Sequence, residues 1–163
     1  MNNFILVKDD VFDSMTCDHI IDYFNKVKSD KDKYYNIVYE APLFKKEKLQ
    51  DLYDTYFKTF PEAGYIVDGL SLKELRIKHF KDDKFFSSWH HENNLKCCHR
   101  VLAMMIYLSD HDCGTEFMSG EIIKSKKGRG VMFPAYFTHN HRGQKCPENK
   151  DRYVYGGYFH HVK

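Results

Sequence analysis

The sequence lacks the features of membrane proteins and of secreted, disulfide-rich domains. No stretch of its 163 residues approaches the roughly 18 consecutive apolar residues of a membrane span, and the apolar run before Lys8 is too short for a signal peptide. Five cysteines are an odd number without any Cys-x-x-Cys pair, which predicts free thiols in a reducing cytosol. A zinc site of Cys97, Cys98, His99 and Cys113 is the alternative, although adjacent cysteines rarely converge on one tetrahedral ion.

A strong charge of either sign is also absent. The net charge is +2, so no global field favours nucleic acid or an anionic membrane, and we expect neither as a partner. The basic run Lys124–Arg129 is interpreted as a solvated hairpin turn. Tryptophan occurs once, whereas thirteen Phe and twelve Tyr provide the aromatic residues that suit strands and pocket walls.

The length predicts a single domain of residues 1–163. Within it, the pattern of residues 1–66 predicts a helical N-terminal part. Residues 4–7 predict an edge strand, and Ser14 or Thr16 can cap a helix that runs to about Lys28. A second helix begins at about Lys45 and ends before Pro61. Its apolar face follows helical spacing through Leu49, Leu52, Tyr53, Tyr56, Phe57 and Phe60.

From residue 70 to residue 160 the hydrophobic period changes to that of strands. Residues 75–80 alternate, and residues 85–92 predict extended chain after a polar turn. The run 101–108 is continuously apolar, which indicates a central buried strand. Further strands are predicted at 131–133, before Pro134, and at 152–159. Helices followed by several short strands predict an α+β domain with a β-sandwich or barrel.

The segment Trp89–Glu92 carries the clearest chemistry. His90 and Glu92 are two residues apart, so both side chains point to one face of an extended chain. With a distant histidine they make the two-His-one-carboxylate triad of non-haem Fe(II) oxygenases, which leaves positions open for a cosubstrate and O2. Because the chain has ten histidines, the tripeptide alone is a weak signal. His139 and His141 share strand parity and are both candidates for the third ligand.

The features of the second half occur in a characteristic order. They are His90-x-Glu92, Arg100, Tyr107-Leu108-Ser109, Gly114-Thr115-Glu116-Phe117, Lys127-Gly128, Phe133-Pro134, His141-Arg142-Gly143 and Arg152-Tyr153. This series resembles the prolyl 4-hydroxylase-like branch of the 2-oxoglutarate- and Fe(II)-dependent dioxygenases, and it is most similar to small phage- and virus-encoded members. The resemblance covers residues 70–160. It implies a double-stranded β-helix, or jelly roll, with a metal inside one mouth and N-terminal helices packed on the sheet.

The resemblance also implies the metal ligands. His90 and Glu92 supply the first two, and His91 between them faces away. In the family, the distal histidine begins a His-x-Gly-like turn, and a basic residue later opens the last strand. His141 fits this pattern with Arg152, whereas the residue equally far from His139 is a lysine in a polar loop. His141 is therefore favoured over His139.

Further positions receive roles from the same resemblance. Arg152 is expected to bind the C5 carboxylate of 2-oxoglutarate, because a guanidinium offers paired donors and stays charged in a pocket. Tyr107 matches a tyrosine that adds a hydrogen bond to the cosubstrate, with core filling as its alternative. Arg100 matches a recurring arginine, which a structural ion pair explains equally well. Phe80 and Tyr158 would line the substrate pocket with Arg100.

Several positions depart from the family pattern. Glu92 stands where the branch usually has Asp, Phe80 where it often has Tyr, and Tyr158 where Trp is common. The loop at Cys113-Gly114-Thr115 is one residue shorter than the usual Gly-Gly-x-Thr. These departures bear on the metal geometry and on the substrate.

The function implied by the resemblance is hydroxylation of an unactivated C–H bond, coupled to conversion of 2-oxoglutarate to succinate and CO2. It requires Fe(II), O2 and 2-oxoglutarate, with ascorbate as a reductant, and the expected location is the cytoplasm, or the host cytoplasm for a phage or virus protein. The expected substrate is a prolyl residue in a peptide or protein. A free amino acid or small metabolite is the alternative substrate. A non-catalytic metal-binding jelly roll and a nucleic-acid demethylase are the alternative functions.

Overall fold

The computed structural model describes residues 3–65 and 69–162. Its first helix, α1 (Ser14–Lys26), begins after Asp13, whose carboxylate accepts a hydrogen bond from the backbone N–H of Thr16 at 2.7 Å. The prediction that Ser14 or Thr16 caps this helix is therefore wrong. An aspartate is an equally good N-cap residue, and in this chain it immediately precedes the first helical turn.

The second helix, α2 (Lys46–Thr59), follows the predicted apolar spacing. Leu49, Leu52 and Tyr56 recur at intervals of three and four residues and are buried. Proline cannot continue the helix, and the short 3-10 helix Pro61–Tyr65 follows. The side chain of Tyr56 is fully buried and its hydroxyl donates to the carbonyl of Phe4 at 3.1 Å, which ties the helix to the N-terminal segment.

Ten strands occur in the described residues. They are β1 (Leu6–Lys8), β2 (Asp30–Lys31), β3 (Asn36–Tyr39), β4 (Leu70–Phe80), β5 (Arg100–Tyr107), β6 (Gly114–Phe117), β7 (Ile122–Lys124), β8 (Gly130–Pro134), β9 (His141–Gly143) and β10 (Arg152–His161). Seven form an antiparallel sheet in the order β1-β8-β5-β10-β4-β3-β2, and three form a second sheet in the order β7-β6-β9. The predicted α+β class is confirmed.

The large sheet separates two cores. One face packs against the two helices, where Ile20 of α1 and Leu52 of α2 join Ile77 of β4. The other face packs against the small sheet, where Phe117 of β6 contacts Phe133 of β8 with ring centroids 5.0 Å apart. Strand β5 is covered on both sides, which explains why its sequence is apolar without interruption.

Two predictions about individual segments differ from the structure. Strand β3 was not predicted, because Asn36–Tyr39 is short and follows a polar stretch. Residues 85–92, predicted as extended chain, form a loop whose only ladder contact among the described residues is the isolated bridge between His90 and His141. No helix in the described part of the chain is long and apolar enough to cross a membrane.

The cysteines also differ from expectation. Cys113 and Cys146 are joined by a disulfide, whereas Cys17, Cys97 and Cys98 are free. The prediction of free thiols is therefore wrong for this pair, and so is a zinc site that combines Cys113 with Cys97 and Cys98. The bond joins segments 33 residues apart, and only the tertiary fold brings them together.

Candidate functional site

The backbone brings His90 next to His141 although 51 positions separate them. The two residues exchange backbone hydrogen bonds, from His90 N to His141 O at 3.0 Å and from His141 N to His90 O at 2.9 Å. Glu92 is fixed by its own backbone N–H, which donates to the carbonyl of Ala135 at 2.9 Å. One loop and the first residue of β9 therefore supply the three side chains.

The three side chains converge on one point. The Nε2 atoms of His90 and His141 each lie 3.5 Å from Oε1 of Glu92, and the two imidazole centroids are 4.3 Å apart. Each Nδ1 bonds to a backbone carbonyl, of Ser88 at 3.0 Å and of His139 at 2.9 Å respectively. Such bonds fix the orientation of a ligating imidazole and leave its other nitrogen for a metal ion. The set is a two-His-one-carboxylate site.

Electrostatics keep the carboxylate of this cluster ionised. Burial would raise the pKa of Glu92, but hydrogen bonds from His141 and His90, with the charge of Lys78, hold that pKa well below its ordinary value. An ionised carboxylate flanked by two imidazoles has the donor chemistry that a divalent transition metal requires.

The neighbouring histidines are engaged elsewhere. Nε2 of His139 lies 2.7 Å from the carbonyl oxygen of Asn3, and its Nδ1 lies 2.9 Å from Oγ1 of Thr138. Nδ1 of His91 lies 3.0 Å from Oδ1 of Asn140. The structure thus places His141 in the cluster with His90 and Glu92, and places His139 and His91 outside it.

The second oxygen of Glu92 is held by two side chains from the large sheet. Tyr158 donates its hydroxyl to Oε2 at 2.6 Å, and Nη1 of Arg100 lies 3.5 Å from the same atom. The guanidinium of Arg100 stacks 3.8 Å above the Tyr158 ring, and its Nε donates to Glu74 at 2.9 Å. Arg100 therefore forms the structural ion pair, with Glu74, and it is not among the residues that line the cavity next to the cluster.

The cluster opens into a cavity of about 100 Å³ between the two sheets. Its walls carry both apolar and cationic groups. The residues that line it include Arg76, Lys78, Phe80, Phe86, Met105, Tyr107, Thr115, Phe133, Arg152 and Tyr158. Seven of the eight site residues selected from the sequence therefore line this one cavity. The eighth, Arg100, lies behind the cavity wall, where it contacts Tyr158 and Glu92.

Arg152 is a buried cation without an acidic partner among residues 3–65 and 69–162. Its residue is 4% exposed, and Nη1 contacts Sγ of Cys113 at 3.2 Å and the carbonyl of Gly114 at 3.4 Å. Its Nε has no hydrogen-bond partner within residues 3–65 and 69–162. Burial lowers the pKa of Arg152, although a guanidinium remains charged in a protein. A buried charge with free donors fits the carboxylate of a bound ligand.

Tyr107 and Phe80 flank this arginine. The ring of Phe80 lies 4.7 Å from the guanidinium carbon of Arg152. The hydroxyl of Tyr107 bonds to Oγ1 of Thr115 at 2.7 Å and to the carbonyl of Ile123 at 3.2 Å. In this structure the Tyr107 hydroxyl is therefore engaged within the protein. Donation to a ligand requires its proton to turn away from these partners.

Two cationic residues of the cavity were not selected from the sequence. Arg76 and Lys78 alternate along β4 with Ile77, and the alternation places them on the cavity side with Phe80. Burial lowers the pKa of Lys78. The strand parity of residues 75–80 was available as a signal, but it does not show which face of the strand borders the site.

The comparisons with known proteins identify the family. The model of the 2OG-Fe(II) oxygenase superfamily matches residues 75–160, just over half of the chain, and the chain belongs to this superfamily. The match includes His90, Glu92 and His141 and also Arg152. No curated protein sequence matches the chain.

Solved structures share the fold at low sequence identity. A viral collagen prolyl hydroxylase from Paramecium Bursaria Chlorella virus-1, in complex with 2OG, has a TM-score of 0.76 at 16% identity and covers 98% of this chain and 97% of its own. A Trichoplax adhaerens prolyl hydroxylase, bound to a hypoxia inducible factor peptide fragment, has a TM-score of 0.70 at 10% identity, with coverage of 98% and 84%.

A third structure binds a small molecule. HygX from Streptomyces hygroscopicus, with nickel, 2-oxoglutarate and hygromycin B bound, has a TM-score of 0.70 at 13% identity, with coverage of 98% and 84%. The family match and these similarities confirm the double-stranded β-helix that was expected for the chain.

Proposed function

We propose that this superfamily member binds Fe(II) through His90, Glu92 and His141 and binds 2-oxoglutarate through Arg152. One observation carries the proposal. A single cavity contains three converging metal donors and a buried guanidinium whose donors have no carboxylate partner among the described residues. A divalent metal ion would supply the positive charge that the three donors attract, and a carboxylate of 2-oxoglutarate would supply the negative charge that pairs with the guanidinium.

The residues of the chain then have distinct tasks. Bound Fe(II), with 2-oxoglutarate and O2, supplies oxidation of an unactivated C–H bond, with succinate and CO2 as coproducts. Arg152 orients the cosubstrate through its distal carboxylate, and Tyr107 adds a hydrogen bond once its proton turns away from Thr115. Phe80 covers the guanidinium, so that bulk water does not compete for it.

Tyr158 and Arg100 position the carboxylate ligand. Because both contact Oε2 of Glu92, they leave Oε1 directed at the two imidazoles. Glu92 is one methylene longer than aspartate and has more side-chain freedom to restrain. The hydroxyl at Tyr158 thereby accommodates the longer ligand.

The substrate we propose is a prolyl residue in an extended peptide. Three exposed aromatic residues, Trp89, Tyr136 and Phe137, lie close in sequence to the two histidines and are 38%, 38% and 73% exposed. Proline-rich segments dock on aromatic surfaces, because their backbone is already restricted and loses little entropy on binding. The peptide-bound Trichoplax structure supports the same class of substrate.

A small-molecule substrate is the second candidate. The cavity volume of about 100 Å³ suits a compact group, and HygX is a structural neighbour that binds hygromycin B. A non-catalytic metal-binding module would use the same three donors without turnover. A single domain of residues 1–163, a cytoplasmic location and ascorbate as reductant stay predictions.

The experiment incubates the protein with Fe(II), ascorbate, 2-oxoglutarate and a panel of proline-containing peptides or free amino acids. We expect a peptide product heavier by one oxygen atom, formed together with succinate. Product from free proline or another small molecule alone would contradict the peptide proposal. If no succinate forms, either with any of the substrates or without a substrate, the result would favour the non-catalytic module. The His141→Ala variant controls for oxidation by free iron.

A further inference from the structure

A second cluster of metal-ligand side chains lies behind Arg152, outside the iron site. A nitrogen of His111, Sγ of Cys146 and a carboxylate oxygen of Glu148 lie within 4.8 Å of one another. Cys113 is bonded to Cys146, so its sulfur lies next to one of these three atoms. Two sulfurs, one imidazole and one carboxylate are the ligand types of a tetrahedral zinc site.

The cluster contains buried polar atoms that lack partners. His111 is 7% exposed, and its Nδ1 has no hydrogen-bond partner among the described residues. Oε2 of Glu148 is likewise buried without a partner in that part of the chain. A buried polar atom without a partner destabilises the fold, because its desolvation is not compensated. Two such atoms in one group of potential ligands are suited to bind a positive ion.

The other atoms of these two side chains are held in place. Nε2 of His111 lies 3.0 Å from Oγ of Ser109, and this contact fixes the orientation of the ring. Oε1 of Glu148 accepts a hydrogen bond from the backbone N–H of Asp112. His111 and Glu148 are thus each oriented by a second bond, as is usual around bound metals. His111 and Glu148 also line a surface cleft, through which an ion can enter.

Charge distinguishes this cluster from a further group of possible metal ligands in the described residues, which also lies outside the proposed iron site. Glu74, His99 and His160 also converge, but Arg76 and Arg100 already form ion pairs with Glu74. A divalent cation there would meet two positive charges and a single negative one.

The charges of the sulfur cluster balance instead. Two thiolates and the Glu148 carboxylate carry three negative charges. Zn²⁺ and the adjacent guanidinium of Arg152, whose Nη1 lies 3.2 Å and 3.9 Å from the two sulfurs, carry three positive charges. Zn²⁺ and its four ligands alone carry one negative charge. This charge faces Nη1 of Arg152, whereas Nε of Arg152 has no hydrogen-bond partner among the described residues.

We propose that the reduced protein binds one Zn²⁺ through Cys113, Cys146, His111 and Glu148, in a site separate from the iron ligands. Reduction of the disulfide by a tertiary phosphine, which is oxidised to the phosphine oxide with oxygen from water, gives two thiols. Zinc binding then displaces their two protons. The ion ties the loop before β10 to the segment between β5 and β6, and thereby fixes the position from which Arg152 enters the cavity.

The test uses Co²⁺ as a spectroscopic substitute for zinc. Metal-free protein is reduced with the phosphine and titrated without O2. We expect a near-ultraviolet sulfur-to-cobalt charge-transfer band that saturates at one equivalent and is lost after reoxidation. Because the iron ligands contain no sulfur, this band is independent of the proposed oxygenase function and should persist in His141→Ala. Zinc analysis of reduced His141→Ala should give one ion, against none when it is oxidised.

Variants locate the site. The band should disappear in Cys146→Ser. In His111→Ala and Glu148→Gln, the affinity for Co²⁺ should fall at least tenfold. Cys98→Ser, which removes an exposed free thiol, is the matched control and should keep it. Absence of the band in the reduced wild-type protein would overturn the proposal, and this comparison requires no variant to fold. A band that is lost in Cys98→Ser and kept in His111→Ala would also overturn it.

Discussion

Removal of the Tyr158 hydroxyl should weaken Fe(II) binding without disturbing the core. The hydroxyl donates to Oε2 of Glu92 at 2.6 Å. Burial, followed by the charge of Glu92, raises the pKa of Tyr158 well above its ordinary value, so the hydroxyl keeps its proton and remains a donor. In Tyr158→Phe, the ring that stacks 3.8 Å from Arg100 is retained. The variant therefore isolates one hydrogen bond to a metal ligand.

The expected size of the effect follows from that bond. A hydrogen bond to a charged group contributes roughly 1.5–3 kcal/mol, which corresponds to about a tenfold to hundredfold change in Kd. After its removal, Nη1 of Arg100, at 3.5 Å, is the one contact that Oε2 of Glu92 keeps within the described part of the chain. We therefore expect the Kd for Fe(II) to rise by about one to two powers of ten. A Glu92→Asp variant should partly remove the dependence on Tyr158, because its shorter carboxylate does not reach the same donor.

Calorimetric titration with Fe(II) under nitrogen measures this effect. The matched control is Tyr155→Phe, on the same strand, because its hydroxyl donates to the carbonyl of Pro42 at 3.0 Å on the helix side of the sheet. That variant should lose stability in urea while its Fe(II) Kd stays within about twofold. Equal Fe(II) affinity in Tyr158→Phe and wild-type protein would refute the positioning role.

Three further outcomes are expected. His141→Ala should abolish stoichiometric Fe(II) binding while His139→Ala retains it, and the reverse result in metal titrations would show that the wrong histidine was chosen. Arg152→Ala should raise the Kd for 2-oxoglutarate by about two to three powers of ten, because loss of a buried charge partner costs roughly 3–5 kcal/mol. The affinity for Fe(II) should stay nearly unchanged. An unaltered Kd for 2-oxoglutarate would assign the role to another cation. Gly114→Ala should lower the free energy of unfolding by about 1–3 kcal/mol or more, because a Cβ there overlaps the carbonyl oxygen of Ile123, and an unchanged urea midpoint would contradict that contact.

Local sequence determined the features that depend on short-range periodicity. The apolar spacing from Leu49 to Tyr56 predicted α2, and the uninterrupted apolar run after Arg100 predicted the buried strand β5. Both patterns are visible without tertiary information, because a helix or strand repeats its buried face at a fixed interval. The α+β class followed from the order of these elements. The candidate ligands His90 and Glu92 were selected from their spacing together with the family resemblance, although the segment that carries them is a loop and not the predicted extended chain.

Only the tertiary structure decided which distant groups meet. It placed the hydroxyl of Tyr158 on Glu92, and it directed His139 to the carbonyl of Asn3 and away from His90, Glu92 and His141. It also joined Cys113 to Cys146 beside Arg152, where the sequence had indicated free thiols. Such contacts depend on how loops close between strands of different sheets, and no local period records that closure. The sequence therefore determined the elements and candidate ligands of this protein, and the packing of its two sheets determined their partners.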